Sequence, residues 1–396
     1  MNRAISTFQP ARLEQAMAAR GYSAVLLADL VGVTSTTISR WRNEAQVPSG
    51  DVLFRLASAL RVTPEWLTRP AADSVARPFY RGSIAQMKGE RALLCARVQW
   101  LDELADQLGM YVEYPKVNVP TKSFKKPTEI SHVDIESAAE DCRRAWGLKN
   151  GPVSDVVLLL ENAGAIVARE ETGAARIEGL STWSSKGRPL VLLCADKGNA
   201  FRSRFDAAHE LGHLVLHSEI EAPGDAATHK LIEDQAHRFA GAFLMPAKSF
   251  VAEVALPVTL QGLLMLKQRW GVSVGAMIMR LSKLGLLSEN DYLRLIKLRS
   301  AKWGSKQEPQ DDERKPEEPR LLRRTVELLH SSGVVRRESL SDFTGLSGRD
   351  VEALLNLPWG QLTQPSAEVV SLSSKGRQVP LSEQTDNVIS FPAKKS

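Results

Sequence analysis

One short stretch, FDAAHELGHLVLH at residues 205–217, constrains the fold and chemistry of this chain more than any other. His209 and His213 are four residues apart, so on a helix their side chains lie on one face, and Glu210 lies about 100° around the same axis. This HExxH spacing provides two ligands and a carboxylate base for a catalytic zinc ion, which takes three protein ligands and keeps a fourth position for water. Because histidine is rare in the chain, the motif would arise by chance on the order of 0.01 times in such a sequence. The stretch therefore predicts a metal site rather than an amphipathic helix whose histidines only pack.

A third ligand has to come from another part of the chain. On a helix, His217 lies about 12 Å along the axis from His209, whereas metal–nitrogen bonds are about 2 Å long, so the two cannot share an ion. A second predicted helix, IEDQAHRFAGAFLMP at 232–246, places Glu233 at the edge of its buried stripe, where an unpaired charge is costly and a metal ion removes that cost. We favour Glu233 as the third ligand over a solvated glutamate. His237, one turn later, is the rival for that role, and otherwise it would orient one of the ligands.

The composition favours a globular protein with more than one domain. The chain has 396 residues, of which 43% are hydrophobic and 24% charged, and this is enough for two or three cores. Its formal charge of +5 is too small to demand a polyanionic partner. Three cysteines without a CxxC spacing argue against a disulfide framework and against a thiolate zinc site. No apolar run is long enough to span a membrane, so we expect a cytoplasmic protein without membrane contacts.

Breaks in the hydrophobic pattern divide the chain into five parts. Residues 1–70 are predicted to form a compact helical domain, and residues 79–130 a helical connector. Residues 131–300 are predicted to form an α+β domain, in which AIVARE and PLVLLCA are strands and a helical subdomain comes last. The segment SKQEPQDDERKPEEPR, at 305–320, is predicted to be a disordered linker because it combines prolines with mixed charge. Residues 321–396 are predicted to be a C-terminal helical module and tail.

The N-terminal part contains a second functional pattern. LLADLVGVTSTTISRWRNEAQVPSG, at 26–50, predicts a helix, a short turn at Gly32, and a second helix capped by Thr34. Ile38 and Trp41 face inward in this arrangement. Short hydroxyl side chains and arginines on the exposed side suit base edges and phosphates in a DNA major groove. The predicted DNA-binding residues are Ser35, Thr36, Thr37, Ser39, Arg40 and Arg42.

Two family resemblances accompany these motifs. The N-terminal span, through GVT, ISRW and the later WL, resembles Xre or lambda-repressor-like DNA-binding domains. HELGHLVLH followed by EDQAHRFAGAFLMP, with GLSTW upstream, resembles the ImmA/IrrE metallopeptidases over roughly residues 133–300. The second resemblance implies a zincin fold whose members cut helix-turn-helix repressors to relieve repression. This chain has His237 where such proteins often have Asn.

The chain also lacks a tyrosine that could serve the metal site. No tyrosine occurs between Tyr114 and Tyr292, so the oxyanion formed during peptide cleavage has to be stabilised by zinc and by His217, His229 or an arginine.

Together the motifs predict a multidomain fold, with an all-α helix-turn-helix domain, an α+β zincin-like metallopeptidase domain and a C-terminal helical module. We expect a stress-responsive transcription regulator that binds operator DNA, with paired half-sites if it is a homodimer. Its zinc-dependent endopeptidase domain would cleave a repressor or antitoxin protein. His209, His213 and Glu233 would hold Zn2+, and Glu210 would act as the general base. The alternative is a repressor or antitoxin whose zincin domain is non-catalytic and serves as a sensor or structural domain.

Overall fold

The computed structural model of the chain describes residues 8–71, 88–174, 177–221, 224–304, 307–336 and 339–362. The beginning of the predicted connector, at 79–87, and the predicted tail after residue 362 lie outside these described residues. Within them, no helix combines the length and the apolar character that a membrane crossing requires.

The first described residues fold into short helices around one core. These are α1 (Pro10–Arg20), α2 (Ala24–Val31), α3 (Ser35–Arg42) and α4 (Gly50–Leu60). Gly32 ends α2 in a left-handed conformation, with φ 72°, and the Thr34 hydroxyl accepts a hydrogen bond from the amide of Thr37 at the start of α3. Ile38 and Trp41 are buried, as the sequence predicts. The glycine at the end of α2 and the threonine cap of α3 therefore determine the turn between these helices.

A long helix, α5 (Lys88–Gly109), packs directly on the N-terminal helices. Arg12 on α1 donates a hydrogen bond to Glu103 at 2.5 Å, and Trp66 meets Trp100 edge to face at 5.9 Å. Leu94, Val98, Leu101, Leu104 and Leu108 of α5 are buried in the same core as α1 to α4. The helix is thus a structural part of the N-terminal domain rather than a separate spacer.

A three-stranded sheet lies between two hydrophobic cores. The strands are β1 (Ile166–Glu170), β2 (Gly179–Trp183) and β3 (Pro189–Cys194). Their order is β1-β3-β2, with β1 parallel and β2 antiparallel to β3. Leu190 and Leu192 of β3 face the core that contains α5, whereas Val191 and Leu193 face the core on the other side. The sequence predicts β1 and β3, both of which are largely buried on both faces, but not β2.

Helices cover the second face of the sheet. They are α6 (His132–Ala145), α7 (Val156–Asn162), α8 (Ala200–Leu216), α9 (Ala226–Leu244), α10 (Ala247–Glu253), α11 (Leu260–Trp270), α12 (Val274–Lys283) and α13 (Glu289–Trp303). Helix α8 packs against α9 and against β2 and β3, and α6 packs against α9. Pro246 follows the end of α9, as the sequence predicts.

Residues 307–320 are ordered against this helical domain, so the prediction of a disordered linker is wrong for the described part of that segment. Glu317 accepts hydrogen bonds from amides at the start of α7 and from the buried guanidinium of Arg204. Glu308 caps the start of α12 in the same way and lies 3.4 Å from the Nζ of Lys267, whose side chain is fully buried. The charged residues that suggest disorder in the sequence therefore bind helix ends and buried cations instead.

The predicted C-terminal module consists, in its described residues, of three short helices. They are α14 (Leu321–Ser331), α15 (Leu340–Thr344) and α16 (Gly348–Leu354). Asp350 on α16 accepts hydrogen bonds from Arg20 on α1, at 2.8 and 2.5 Å, and from Arg97 on α5, at 2.6 Å. Arg97 also pairs with Glu170 on β1. Burial alone would raise the pKa of Asp350, but the hydrogen bond from Arg20 and the charge of Arg97 outweigh it and hold the pKa at about 2.

Glu317→Gln should strongly destabilise the fold, because the buried guanidinium of Arg204 would lose the carboxylate that neutralises it. Breaking a buried ion pair costs about 3–5 kcal/mol, and we expect a loss of about 3 kcal/mol in the free energy of unfolding. Urea denaturation measures this loss, and Asp312→Asn, at an exposed position of the same segment, is the matched control. Limited proteolysis should leave 307–320 intact in the wild-type protein and cut it in the Glu317 variant. Ready cleavage of the native wild-type chain there would contradict the ordered segment.

Candidate metal centre

The predicted ligands on α8 and α9 lie close together. The Nε2 atoms of His209 and His213 are 2.9 Å apart, and the Glu233 carboxylate lies 3.3 Å from the first and 3.9 Å from the second. The side chain of His213 is fully buried, that of His209 is 12% exposed, and that of Glu233 is 31% exposed. The three side chains thus converge on one point, which is open to solvent on the side of Glu233.

Gly212, one residue before His213, allows α8 and α9 to approach this closely. A Cβ atom at Gly212 would lie 3.1 Å from the Phe239 ring and 3.2 Å from both the Cα and the carbonyl oxygen of Ala236. These separations are shorter than the optimal contact distance of about 3.5–4.0 Å between carbon atoms, and the Ala236 atoms belong to the backbone of α9. Glycine in a helix interior costs about 1 kcal/mol relative to alanine. The close contact that brings Glu233 to the histidines offsets that cost.

A chain of hydrogen bonds behind His213 determines which of its nitrogens faces the site. Gln235 donates through its amide nitrogen to the carbonyl of Pro127 at 2.7 Å, so its carbonyl oxygen accepts from His217 Nε2 at 3.2 Å. The Nδ1 atom of His217 then accepts from His213 Nδ1 at 3.0 Å. Burial lowers the pKa of His213 well below its usual value and that of His217 to about 4, so both rings are neutral near pH 7. The lone pair of His213 Nε2 therefore points into the site.

Sequence reasoning missed this positioning role of His217 and Gln235. It offers His217 as one candidate for stabilising an oxyanion, but that ring is fully buried and both of its nitrogens have partners, so it cannot contact a substrate. The available signal was the four-residue spacing from His213, which places the two rings on one helix face. No comparable signal identifies Gln235, because its contact with His217 depends on how α9 packs on α8.

Glu210 lies on the neighbouring face of α8, against β2. It is 3% exposed, and its Oε2 atom has no hydrogen-bond partner among the described residues. Gly179 at the start of β2 leaves room for the side chain, since a Cβ atom there would lie 3.0 Å from Glu210 Oε1. Burial raises the pKa of Glu210 to about 7, although the charge of His209 acts in the opposite direction. A carboxyl group with this pKa can both accept and release a proton near neutral pH.

Two further histidines border the site. His237 donates through Nδ1 to the carbonyl of Glu233 at 2.9 Å, which leaves a lone pair on its Nε2, and it offers a ligand atom within 4.8 Å of those of His209 and Glu233. Both candidates for the third ligand are therefore within reach of His209. His229 Nε2 lies 3.7 Å from the Glu233 carboxylate and accepts a hydrogen bond from Arg91 on α5 at 2.9 Å. His229, which the sequence suggests for oxyanion stabilisation, thus lies beside this carboxylate, and Arg91 contacts His229 from α5.

The donor atoms fit a zinc ion. Nitrogen and oxygen ligands bonded at about 2.0–2.2 Å to one tetrahedral ion lie about 3.3–3.5 Å apart, close to the separations found between His209, His213 and Glu233. Two imidazoles and a carboxylate are also a known ligand set of catalytic zinc. His209 Nδ1 is buried without a hydrogen-bond partner in the described part of the chain, so its Nε2 is the nitrogen that the fold directs at the other donors.

The predicted DNA-binding residues lie on the outer side of α3. Ser35, Thr36, Ser39, Arg40 and Arg42 are exposed, and Thr37 is half-buried. Arg42 is held by Glu14 at 2.9 Å. The side chain of Arg40, in contrast, makes no hydrogen bond or ion pair within the described ranges. Arg40 is therefore the cation of α3 that is best placed to contact a DNA phosphate or base.

Comparison with protein families identifies two domains in the chain. Residues 13–67 match the model of a helix-turn-helix family, and residues 160–282 match the model of the peptidase M78 family, which is described as an IrrE N-terminal-like domain. The two matches confirm the predicted fusion and the predicted multidomain fold. No curated protein matches the chain. The chain thus combines a region similar to helix-turn-helix domains with a region similar to the peptidase M78 family.

Gly212→Ala should weaken metal binding, even though alanine is the better helix former. The added Cβ would push α8 away from α9, and overpacking of this kind costs about 1–3 kcal/mol. Gly241→Ala is the matched control, because its Cβ would meet only the Arg280 side chain, at 3.4 Å, which is an ordinary van der Waals contact. Zinc affinity is measured by competition with a chelator, and stability by urea denaturation. Equal zinc affinity in both variants would show that the site does not depend on the close approach at Gly212.

Proposed function

We propose that this chain is a DNA-binding transcription regulator whose peptidase-family domain is an active zinc-dependent endopeptidase, and that it relieves repression by cleaving a repressor or antitoxin protein. The observation that carries the proposal is the position of Glu210. Its side chain is buried next to the converging donors, and one carboxylate oxygen has no hydrogen-bond partner among the described residues. A site that used a metal only for structure would not need an unsatisfied carboxylate at this point.

Each residue would have a defined task in peptide cleavage. His209, His213 and Glu233 would hold the zinc ion, and Gln235 and His217 would keep the His213 lone pair directed at it. A zinc ion bound here would supply the polarisation that activates a water molecule for attack on a peptide carbonyl. Glu210 would take the proton from that water and deliver it to the leaving amine nitrogen. His229 lies beside Glu233 and accepts a hydrogen bond from Arg91, whose guanidinium would stabilise the charge that develops on the carbonyl oxygen.

One observation favours the alternative, in which the domain is a sensor or a structural unit without turnover. The Nε2 lone pair of His237 lies near His209 and Glu233, so His237 could fill a fourth ligand position and close the site. In that case the substitution His237→Ala would lower zinc affinity. In the peptidase proposal it would leave zinc binding intact, because a water molecule occupies that position.

Glu210→Gln should retain about one zinc ion per chain but lose proteolysis by at least about a hundredfold, the usual scale for loss of a general base. Glu233→Ala should lose the zinc ion itself. Elemental analysis gives the metal content of the purified proteins. Proteolysis is followed by mass spectrometry of new protein N-termini in cells that express each variant. Glu140→Gln, an exposed substitution on α6 that makes the same change in charge, is the control for expression and folding.

The two substitutions separate the proposals. A structural or sensory zinc domain would be insensitive to Glu210→Gln and sensitive to Glu233→Ala. If the wild-type protein and the Glu210 variant produce the same set of new N-termini, the peptidase proposal is wrong and the sensory alternative replaces it.

Arg40→Ala should weaken specific DNA binding by about 1–3 kcal/mol, the range for loss of a good base contact. DNA binding should be measured with the full chain, because α5 contributes to the core of the helix-turn-helix domain. The DNA is selected from a random library by the wild-type protein, and binding is compared with a scrambled fragment at about 150 mM salt. Arg294→Ala, on the exposed face of α13, is the control. Equal affinity of the wild-type chain for selected and scrambled DNA would exclude a sequence-specific regulator.

A further inference from the structure

A cavity of about 240 Å3 adjoins the candidate metal centre between α8, α9 and α12. Glu233 and His237 form its near wall, and the Phe205 ring lies 5.8 Å from the His237 ring. Met279 on α12 contributes a second large apolar surface and is 36% exposed. A side chain seated in this cavity would therefore lie against an apolar surface and next to the proposed ligands.

The lining of the cavity also carries four cationic side chains. They are Lys230, Arg238, Arg280 and Lys283. Arg280 is neutralised by Glu136, to which it donates two hydrogen bonds at 2.6 and 2.8 Å. The other three are not neutralised in this way. The lining also contains two carboxylates, Glu233 and Asp234, so the three remaining cations exceed them by one charge.

Arg238 is only partly paired. Its side chain is 11% exposed, its Nη2 donates to the carbonyl of Lys283 at 3.0 Å, and its Nε is buried without a hydrogen-bond partner among the described residues. The carboxylate of Glu136 is 3.9 Å from this Nε, which is too far for a hydrogen bond. Lys230 and Lys283 form no ion pair with any residue that the structure describes. Lys230 and Lys283 thus present positive charge that the described fold leaves without a close counter-ion, while Arg238 shares the Glu136 carboxylate with Arg280.

We propose that this cavity is a substrate subsite that binds a glutamate side chain next to the scissile bond. The proposal rests on the proposed peptidase activity and defines the substrate class of that site. The methylene groups of glutamate would pack on Phe205 and Met279, and its carboxylate would reach Lys230, Arg238 and Lys283. A purely apolar side chain would fill the same volume but would desolvate these cations without pairing them. Charge therefore favours glutamate over leucine and over its uncharged counterpart glutamine.

Binding can be measured without catalysis through the methyl group of Met279. The full chain is labelled with 13C-methyl methionine, the Met279 signal is identified by Met279→Leu, and the exposed Met265 serves as an internal reference. N-acetyl-glutamate amide is titrated into the protein, followed by the glutamine and leucine counterparts. We expect the glutamate compound to shift the Met279 signal and to bind about tenfold more tightly than the glutamine compound, since a hydrogen bond to a charged group contributes about 1.5–3 kcal/mol.

Two variants test the role of the charges. The double substitution Lys230→Gln with Lys283→Gln should remove most of the preference for glutamate, whereas Lys302→Gln, an exposed lysine on α13, should leave it unchanged. An equal response of Met279 to glutamate and glutamine compounds, or no response to either, would overturn the subsite.

Cleavage of an unbiased peptide mixture is the second measurement. Glutamate enrichment at one position beside the cleaved bond supports the proposal, and cleavage without such enrichment contradicts it. If no peptide is cleaved, the peptidase activity fails, while the Met279 titration still decides whether the cavity prefers glutamate.

Discussion

The close packing of α8 on α9 at Gly212 is the contact on which the metal centre depends. The HExxH motif by itself places two imidazoles on one helix, but a third donor has to come from a neighbouring helix at a distance that a metal ion can bridge. Gly212 brings the backbone of Ala236 to a separation that any larger residue would prevent. Glu233, less than one turn before Ala236, is carried to the histidines by that approach. The glycine of HELGH therefore contributes to the geometry of the site by allowing this close approach.

The three-stranded sheet connects the helix-turn-helix domain to the domain that carries the candidate metal centre. One face of β3 packs in the core of the helix-turn-helix domain and α5, and the other face packs in the core that supports α8. The ion cluster around Arg97 then fixes α1, α5, β1 and α16 to each other. Because its charges are buried and paired on several sides, removing one partner would leave the others unsatisfied, which ties these elements together strongly.

Features that depend on local spacing could be predicted from the sequence, and features that depend on distant contacts could not. The turn at Gly32, the inward direction of Trp41, and the helical positions of His209 and His213 follow from propensity and periodicity. The sequence also predicts that Glu233 lies at the edge of a buried stripe. In contrast, the order of residues 307–320 depends on amides and cations contributed by α7, α8, α11 and α12. Strand β2 was missed because its central residues are Ser181 and Thr182, whose burial depends on the neighbouring helix α8.

The metal centre is built from more of the chain than the part that matches the peptidase family. The lone pair of His213 is directed by Gln235, and Gln235 is itself held by the carbonyl of Pro127, which precedes the matched region. Arg91, which contacts His229 beside Glu233, belongs to α5 and therefore to the core of the helix-turn-helix domain. A displacement of α5 would move this guanidinium relative to the carboxylate. One helix thus packs in the core of the helix-turn-helix domain and also contacts the histidine beside Glu233, so the two domains share a structural element next to the candidate metal centre.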